Sequence, residues 1–173
     1  MGNICIIPAR GGSKRIPKKN IKDFNGKPII SYIIEAAQES NNFDEIMVST
    51  DNKKIEEVAK KYGAKVPFLR SNTNANDFAS LADVLVEVLA EYIKEGKTFE
   101  NICCFLPTAA LITPEKITKA YKTYIDGDFT SVVPVIRFAY PIQRAFKEAA
   151  GLIKLREEEH VNTRSQDLET YYH

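Results

Sequence analysis

Short apolar runs rich in β-branched residues alternate along this chain with segments whose apolar residues recur at helical spacing. That alternation limits the possible folds more than any other feature. Ile4-Cys5-Ile6-Ile7 reads as a strand, a long basic loop follows, and Ile29, Ile30, Ile33, Ile34, Ala36 and Ala37 then fall on one helical face. Residues 46–50 form a second β-branched run, and a helix carrying Ile55, Val58, Ala59 and Tyr62 stops at Gly63. Residues 66–69 predict a short edge strand, because Pro67 is poorly tolerated in a central one.

The turn-rich stretch 71–78 leads into Ser80-Leu81-Ala82-Asp83, the pattern of a capping box. Leu81, Leu85, Val88, Leu89 and Tyr92 then predict one face of a helix that ends near Gly96. Residues 102–106 are wholly apolar, as expected of a strand covered on both faces, and are predicted to lie centrally in a sheet. Thr113-Pro114-Glu115 marks a further helix start, with Ile117, Ala120, Tyr121 and Tyr124 facing inward, and 131–136 reads as another strand.

Strands alternating with helices imply right-handed crossovers and a mostly parallel, twisted sheet in a three-layer αβα sandwich. Its ligands are expected at the carboxyl ends of the strands, where the basic loop lies. The 173 residues fit one domain, 1–173, with an excursion from the sheet at 137–163 where the sequence becomes mixed and charged. No closing element precedes Tyr171-Tyr172-His173, so the domain is expected to lack its C-terminal part.

Lys and Arg number 24 against 23 Asp and Glu, which gives no global charge for a nucleic-acid or membrane partner and makes any electrostatic site local. No apolar run reaches the roughly 20 residues that span a bilayer, and no signal peptide is evident, so a cytoplasmic location is expected. Cys5, Cys103 and Cys104 lie in apolar runs without metal-ligand spacing and read as packed, reduced thiols. His160 and His173 have no partner visible in sequence and receive no catalytic role, and Glu157-Glu158-Glu159 reads as a solvated face.

The chemistry is concentrated in Pro8-Ala9-Arg10-Gly11-Gly12-Ser13-Lys14-Arg15-Ile16-Pro17-Lys18-Lys19-Asn20, a cation-rich segment with no acid in it. Adjacent glycines let backbone amides approach oxygen atoms that a side chain would block, and the cations supply charge-assisted bonds to phosphate. Neither the Walker pattern nor the dinucleotide pattern of glycines is present. Arg15 and Lys18 read as solvated, Ser80 as a helix cap compatible with a site role, and Arg70 as either a surface ion-pair partner or a site residue. Asp51, at a strand end, fits either a turn or the nucleotide and is not placed in the first rank.

The run from Ile7 to Asn20 resembles the signature of the acylneuraminate cytidylyltransferase family. The likeness extends through Val48-Ser49-Thr50-Asp51, the 70–80 stretch, Leu106-Pro107-Thr108 and Arg164-Ser165-Gln166. Tyr140-Pro141-Ile142-Gln143-Arg144-Ala145-Phe146 and Arg164-Ser165-Gln166-Asp167-Leu168 are similar to the variants of those motifs in members acting on pseudaminic acid. The resemblance implies a nucleotide-diphospho-sugar-transferase-like fold and attack by the anomeric hydroxyl of a nonulosonic acid on the α-phosphorus of CTP, releasing pyrophosphate.

It also implies site residues. Ala9, Arg10, Gly11, Gly12, Ser13, Lys14, Lys19, Asn20, Arg70, Ala79 and Ser80 would bind the nucleotide, with Arg10 and Lys19 catalytic. Gln143, Arg164 and Gln166 would face the nine-carbon sugar acid. Mg²⁺ is the implied cofactor, with ligands unassigned, and a homodimer the implied assembly, through exchange of the excursion. Leu106 stands where many sialic-acid members carry Gln, which leaves substrate contacts there open. Two further readings stand beside this one: a cytidylyltransferase for sialic, legionaminic or another ulosonic acid, and a nucleotide-binding module without turnover.

Overall fold

The computed structural model describes residues 2–173. Contacts divide it into two compact units, residues 1–128 and 129–173. The boundary falls earlier than the expected excursion at 137.

The first unit is built on strand β1 (Gly2–Pro8), in which Ile4, Cys5, Ile6 and Ile7 are all fully buried. After the basic loop, a short antiparallel ribbon of β2 (Asp23–Phe24) and β3 (Lys27–Pro28) precedes helix α1 (Ile29–Glu39). Strand β4 (Glu45–Ser49) and helix α2 (Lys53–Lys61) follow, and then helix α3 (Leu81–Lys94), strand β5 (Phe99–Cys104) and helix α4 (Pro114–Asp126). The sheet has the order β4-β1-β5 and is parallel throughout, with Ile6 opposite Met47 and Cys104.

Because side chains alternate across β1, its two faces enter different cores. Cys5 and Ile7 pack with Ile30, Ile33, Ile34 and Ala37 of α1 and with Ile55 and Ala59 of α2. Ile4 and Ile6 pack with Met47 and with Val88 and Tyr92 of α3. Helices therefore cover both faces of a parallel sheet, the expected three-layer arrangement, and each buried isoleucine contributes about 1.5–3 kcal/mol of transfer free energy. Asn52 caps α2 by accepting from Lys54 N at 3.0 Å and Ile55 N at 3.3 Å, and Gly63, at φ +87°, turns the chain beyond it.

Four expectations need correction. Residues 66–69 form no strand: parallel pairing with β4 is confined to a bridge at Lys65, and Pro67 then removes the next donor. Residues 102–106 are not central. Strand β5 is an edge of the sheet, and Ile102 is 46% exposed. In α3 the expected Val88 and Tyr92 are buried and Leu85 and Leu89 are half-buried against the same core, but Leu81 is exposed at the first helical position and Val84, not foreseen, is buried. In α4 only Ile117 is buried, Tyr121 and Tyr124 are half-buried, and Ala120 is exposed.

The fifth difference moves the unit boundary. Residues 131–136 do not join the sheet, and Val133, Val135 and Ile136 are exposed. Pro134 interrupts their donor series, and the backbone bonds that form are between Ile136 and His173 (2.9 Å in each direction) and from Phe138 N to Tyr171 O (3.0 Å). This second unit also holds the hairpin of β6 (Phe146–Ala149) and β7 (Leu152–Leu155).

Candidate active site

At the carboxyl end of β1 the chain must leave the core and expose its cations. Ala9 is still buried, and its N–H donates to Ser49 O at 2.8 Å, so this predicted nucleotide residue belongs to the core and offers its side chain to no ligand. Gly11 follows at a point of close approach: a Cβ there would lie 2.8 Å from Asn52 Nδ2 and 2.9 Å from its Cβ. The Gly11 N–H, expected to face phosphate, donates to Asp51 Oδ1 at 2.7 Å. Asp51 thus fixes the glycine turn from the end of β4. At Gly12 a Cβ would meet nothing within 4 Å.

A cleft of about 810 Å³ opens beside this loop within the first unit. Of the predicted nucleotide residues, Arg10, Ser13, Lys14, Lys19, Asn20, Arg70, Ala79 and Ser80 line it, and Ala9, Gly11 and Gly12 do not. Leu106, Pro107 and Thr108, from the turn after β5, form a further wall. Arg15 also borders the cleft, although sequence alone read it as solvated.

Asn20 sits in a single turn of 3-10 helix, Lys19–Ile21, entered through Lys18 in the left-handed region at φ 52°. Its Nδ2 donates to Arg10 O at 2.9 Å and so ties the two ends of the basic loop together. Its Oδ1 is buried with no hydrogen-bond partner among the described residues, an unpaired acceptor on a residue that lines the cleft.

Arg70 is 7% exposed. Its Nε donates to Ser49 Oγ at 3.0 Å and its Nη2 to Ser49 O at 2.6 Å. Burial lowers its pKa, and Asp51 and Glu87 oppose that effect. It is therefore a structural clamp on the end of β4 as well as a cleft residue, and no exposed ion pair. Ser80 caps α3: its Oγ accepts from Asp83 N at 3.2 Å, and Asp83 Oδ2 accepts in return from Ser80 N at 2.8 Å, completing the predicted capping box.

Two residues of the cleft escaped the sequence reading. Asp77 accepts from Arg10 Nη2 at 2.8 Å and from Lys14 Nζ, and these cations, Lys14 first, hold its carboxyl below the usual carboxylate range. Asn76 gives its carbonyl to Arg10 Nη1, and its Oδ1 accepts from Phe78 N at 2.7 Å and Ala79 N at 2.9 Å. The only sequence signal for either was their place in an Asn/Asp-rich turn. Lys19 lines the same cleft and makes no ion pair among the described residues.

A family model described as cytidylyltransferase matches residues 4–172. The chain belongs to the cytidylyltransferase family. It is 44% identical to the pseudaminic acid cytidylyltransferase of Campylobacter jejuni (serotype O:2), over 100% of this chain and 75% of that one. It is 39% identical to the CMP-N,N'-diacetyllegionaminic acid synthase of Legionella pneumophila, over 70% of this chain and 52% of that one. Among solved structures, the CMP:2-keto-3-deoxy-manno-octonic acid synthetase complexed with CTP matches with TM-score 0.62 and 27% identity, over 78% of this chain and 51% of that one.

Gln143, Arg164 and Gln166 lie in the second unit. Gln143 is buried, donates to Glu169 O at 2.9 Å and keeps an Oε1 with no partner among the described residues. Arg164 is exposed and donates to Asp167 Oδ2 at 2.7 Å, and Gln166 is exposed. For Mg²⁺ the cleft offers a poor donor set. Its carboxylate, Asp77, has both oxygens engaged by cations, and the acidic cluster close enough to chelate among the described residues, Glu157, Glu159 and His160, is in the second unit. Cys103 and Cys104 have thiols pushed up by burial to about 12 and about 11, which leaves them unreactive.

Proposed function

We propose that the chain transfers CMP from CTP to the anomeric hydroxyl of a nonulosonic acid, pseudaminic acid in the first instance, and releases pyrophosphate. The observation that carries this reading is the cleft itself, which brings Arg10, Lys14 and Lys19 together with the unpartnered acceptor of Asn20 and the helix-capping Ser80. The relative at 44% identity supports the choice of sugar, and the legionaminic relative marks the alternative.

In this scheme the sugar hydroxyl oxygen bonds to the α-phosphorus as the bond to the β-phosphate oxygen breaks. The hydroxyl proton passes to solvent water and pyrophosphate departs. Such transfers depend mainly on position and charge neutralisation. Lys14 and Arg10 hold phosphate oxygens, and Lys19 neutralises charge developing on the α-phosphate. Asn20 Oδ1 accepts from a donor of the cytidine, while Ala79 and Ser80 frame the nucleoside.

Gln143, Arg164 and Gln166 are proposed for the sugar on the resemblance, Arg164 through the match of its planar fork to a carboxylate. Mg²⁺ is proposed to arrive with the triphosphate, held by phosphate oxygens and water. A homodimer is proposed on exposed Phe146, Leu152 and Ile153 of the hairpin, and a cytoplasmic location on the nature of the substrates.

The test is pyrophosphate release from CTP with Mg²⁺ and a panel of sugar acids. Release with pseudaminic acid alone supports the full reading. Release with another nonulosonic acid changes the sugar and keeps the reaction, and CTP binding without release from any sugar overturns transfer.

A further inference from the structure

In this structure two of the three cations read as phosphate ligands, Arg10 and Lys14, are already satisfied by an anion of the chain's own. Asp77 Oδ1 accepts from Arg10 Nη2 at 2.8 Å, Oδ2 accepts from Lys14 Nζ, and Arg10 Nη1 is spent on the neighbouring Asn76 carbonyl. The carboxylate is held in place by its own turn, because Asn76 Oδ1 pins the amides of Phe78 and Ala79. It is also open to competition: the side chains of Arg10, Asp77 and Lys14 are 34%, 38% and 80% exposed at the cleft. A phosphate group that engages Arg10 and Lys14 must therefore take them from Asp77.

We propose that Asp77 is a specificity-determining residue: an internal anion that competes with ligand phosphate for Arg10 and Lys14 and so lowers the affinity of every ligand that uses those cations, leaving the bare nucleoside unaffected. The inference rests on reading the cleft as a triphosphate site. The apparent affinity of any ligand using these cations is its intrinsic affinity reduced by the fraction of chains in which Asp77 has let go. A monophosphate product is disfavoured by the same contact, so return of Asp77 to Arg10 and Lys14 assists release once pyrophosphate has left.

Titration of inorganic tripolyphosphate, CTP and cytidine against the wild type, Asp77→Asn and Asp77→Glu tests this. Asp77→Asn keeps the shape of the side chain and removes its charge. It is expected to bind tripolyphosphate and CTP about threefold to tenfold more tightly, the range two partly exposed ion pairs allow, with cytidine unchanged. Asp77→Glu retains the charge and is expected to stay near the wild type. Unchanged or weaker tripolyphosphate binding by Asp77→Asn, or equal tightening in Asp77→Glu, overturns the inference while CTP binding to the wild type leaves the cleft reading intact. Failure of CTP to bind the wild type overturns that reading and this inference with it.

Discussion

Arg70 grips Ser49 twice, through Nε to the hydroxyl at 3.0 Å and through Nη2 to the carbonyl at 2.6 Å, and so joins the segment after α2 to the carboxyl end of β4. The same stretch of β4 receives the Ala9 amide from the start of the basic loop. One buried guanidinium therefore fixes two borders of the cleft.

Lysine cannot reproduce that fork. Arg70→Lys is expected to leave Ser49 Oγ without its donor and Ser49 O with the Ala9 amide alone, and to cost about 1–3 kcal/mol in urea unfolding, with weaker CTP binding. Unfolding at the wild-type midpoint would show that the clamp contributes nothing.

Gly11 is held against Asn52, and the space for a Cβ is missing. Gly11→Ala is expected to destabilise by about 1–3 kcal/mol, as overpacking does. Asn52→Gly removes the N-cap side chain together with the Nδ2 and Cβ that crowd Gly11, so the double variant should lose less than the sum of the single losses because the clash is relieved. Strict additivity would place the strain elsewhere.

Ser80→Ala breaks the capping box at the N-terminus of α3. A loss of about 1 kcal/mol is expected in thermal or urea unfolding, with Asp83→Asn falling short of it. An unchanged midpoint would mean that α3 is held by its Val84, Val88 and Tyr92 contacts alone.

Much of this was legible from residues alone. The alternation of period-two and helical runs gave β1, α1, β4 and α2 because each buries a continuous apolar face, and Ser80 and Asp83 announced the start of α3 in their side-chain chemistry. What failed has a common cause. The runs at 66–69 and 131–136 are apolar enough for strands, but pairing depends on donors that Pro67 and Pro134 remove and on neighbours distant in sequence. The site was read through its cations and glycines. Asp77 and Asn76 were missed because an acid in a turn gives no hint that it reaches back to Arg10.

Acidification gives a further expectation. Ser80 donors hold Asp83 below the ordinary value of 3.8. Burial pushes the Glu87 carboxyl up, but Ser71 and Asn74 donors and Arg70 outweigh it and leave the group below 4.5. Folded values below unfolded ones mean that the native state binds fewer protons, so this stability is present above the unfolded values and lost as pH falls through the folded ones. Urea midpoints should decline below about pH 4, and less steeply in Asp83→Asn and Glu87→Gln. Identical slopes in the wild type and both variants would contradict the assignment.

The most direct test of the central claim is titration of CTP and cytidine against the wild type and Lys19→Ala. Lys19 is exposed and makes no ion pair among the described residues, so its removal spares the fold. CTP affinity is expected to fall by about tenfold in Lys19→Ala, the scale of one charge-assisted hydrogen bond, with cytidine binding unchanged. Equal CTP affinity in the two proteins would contradict it.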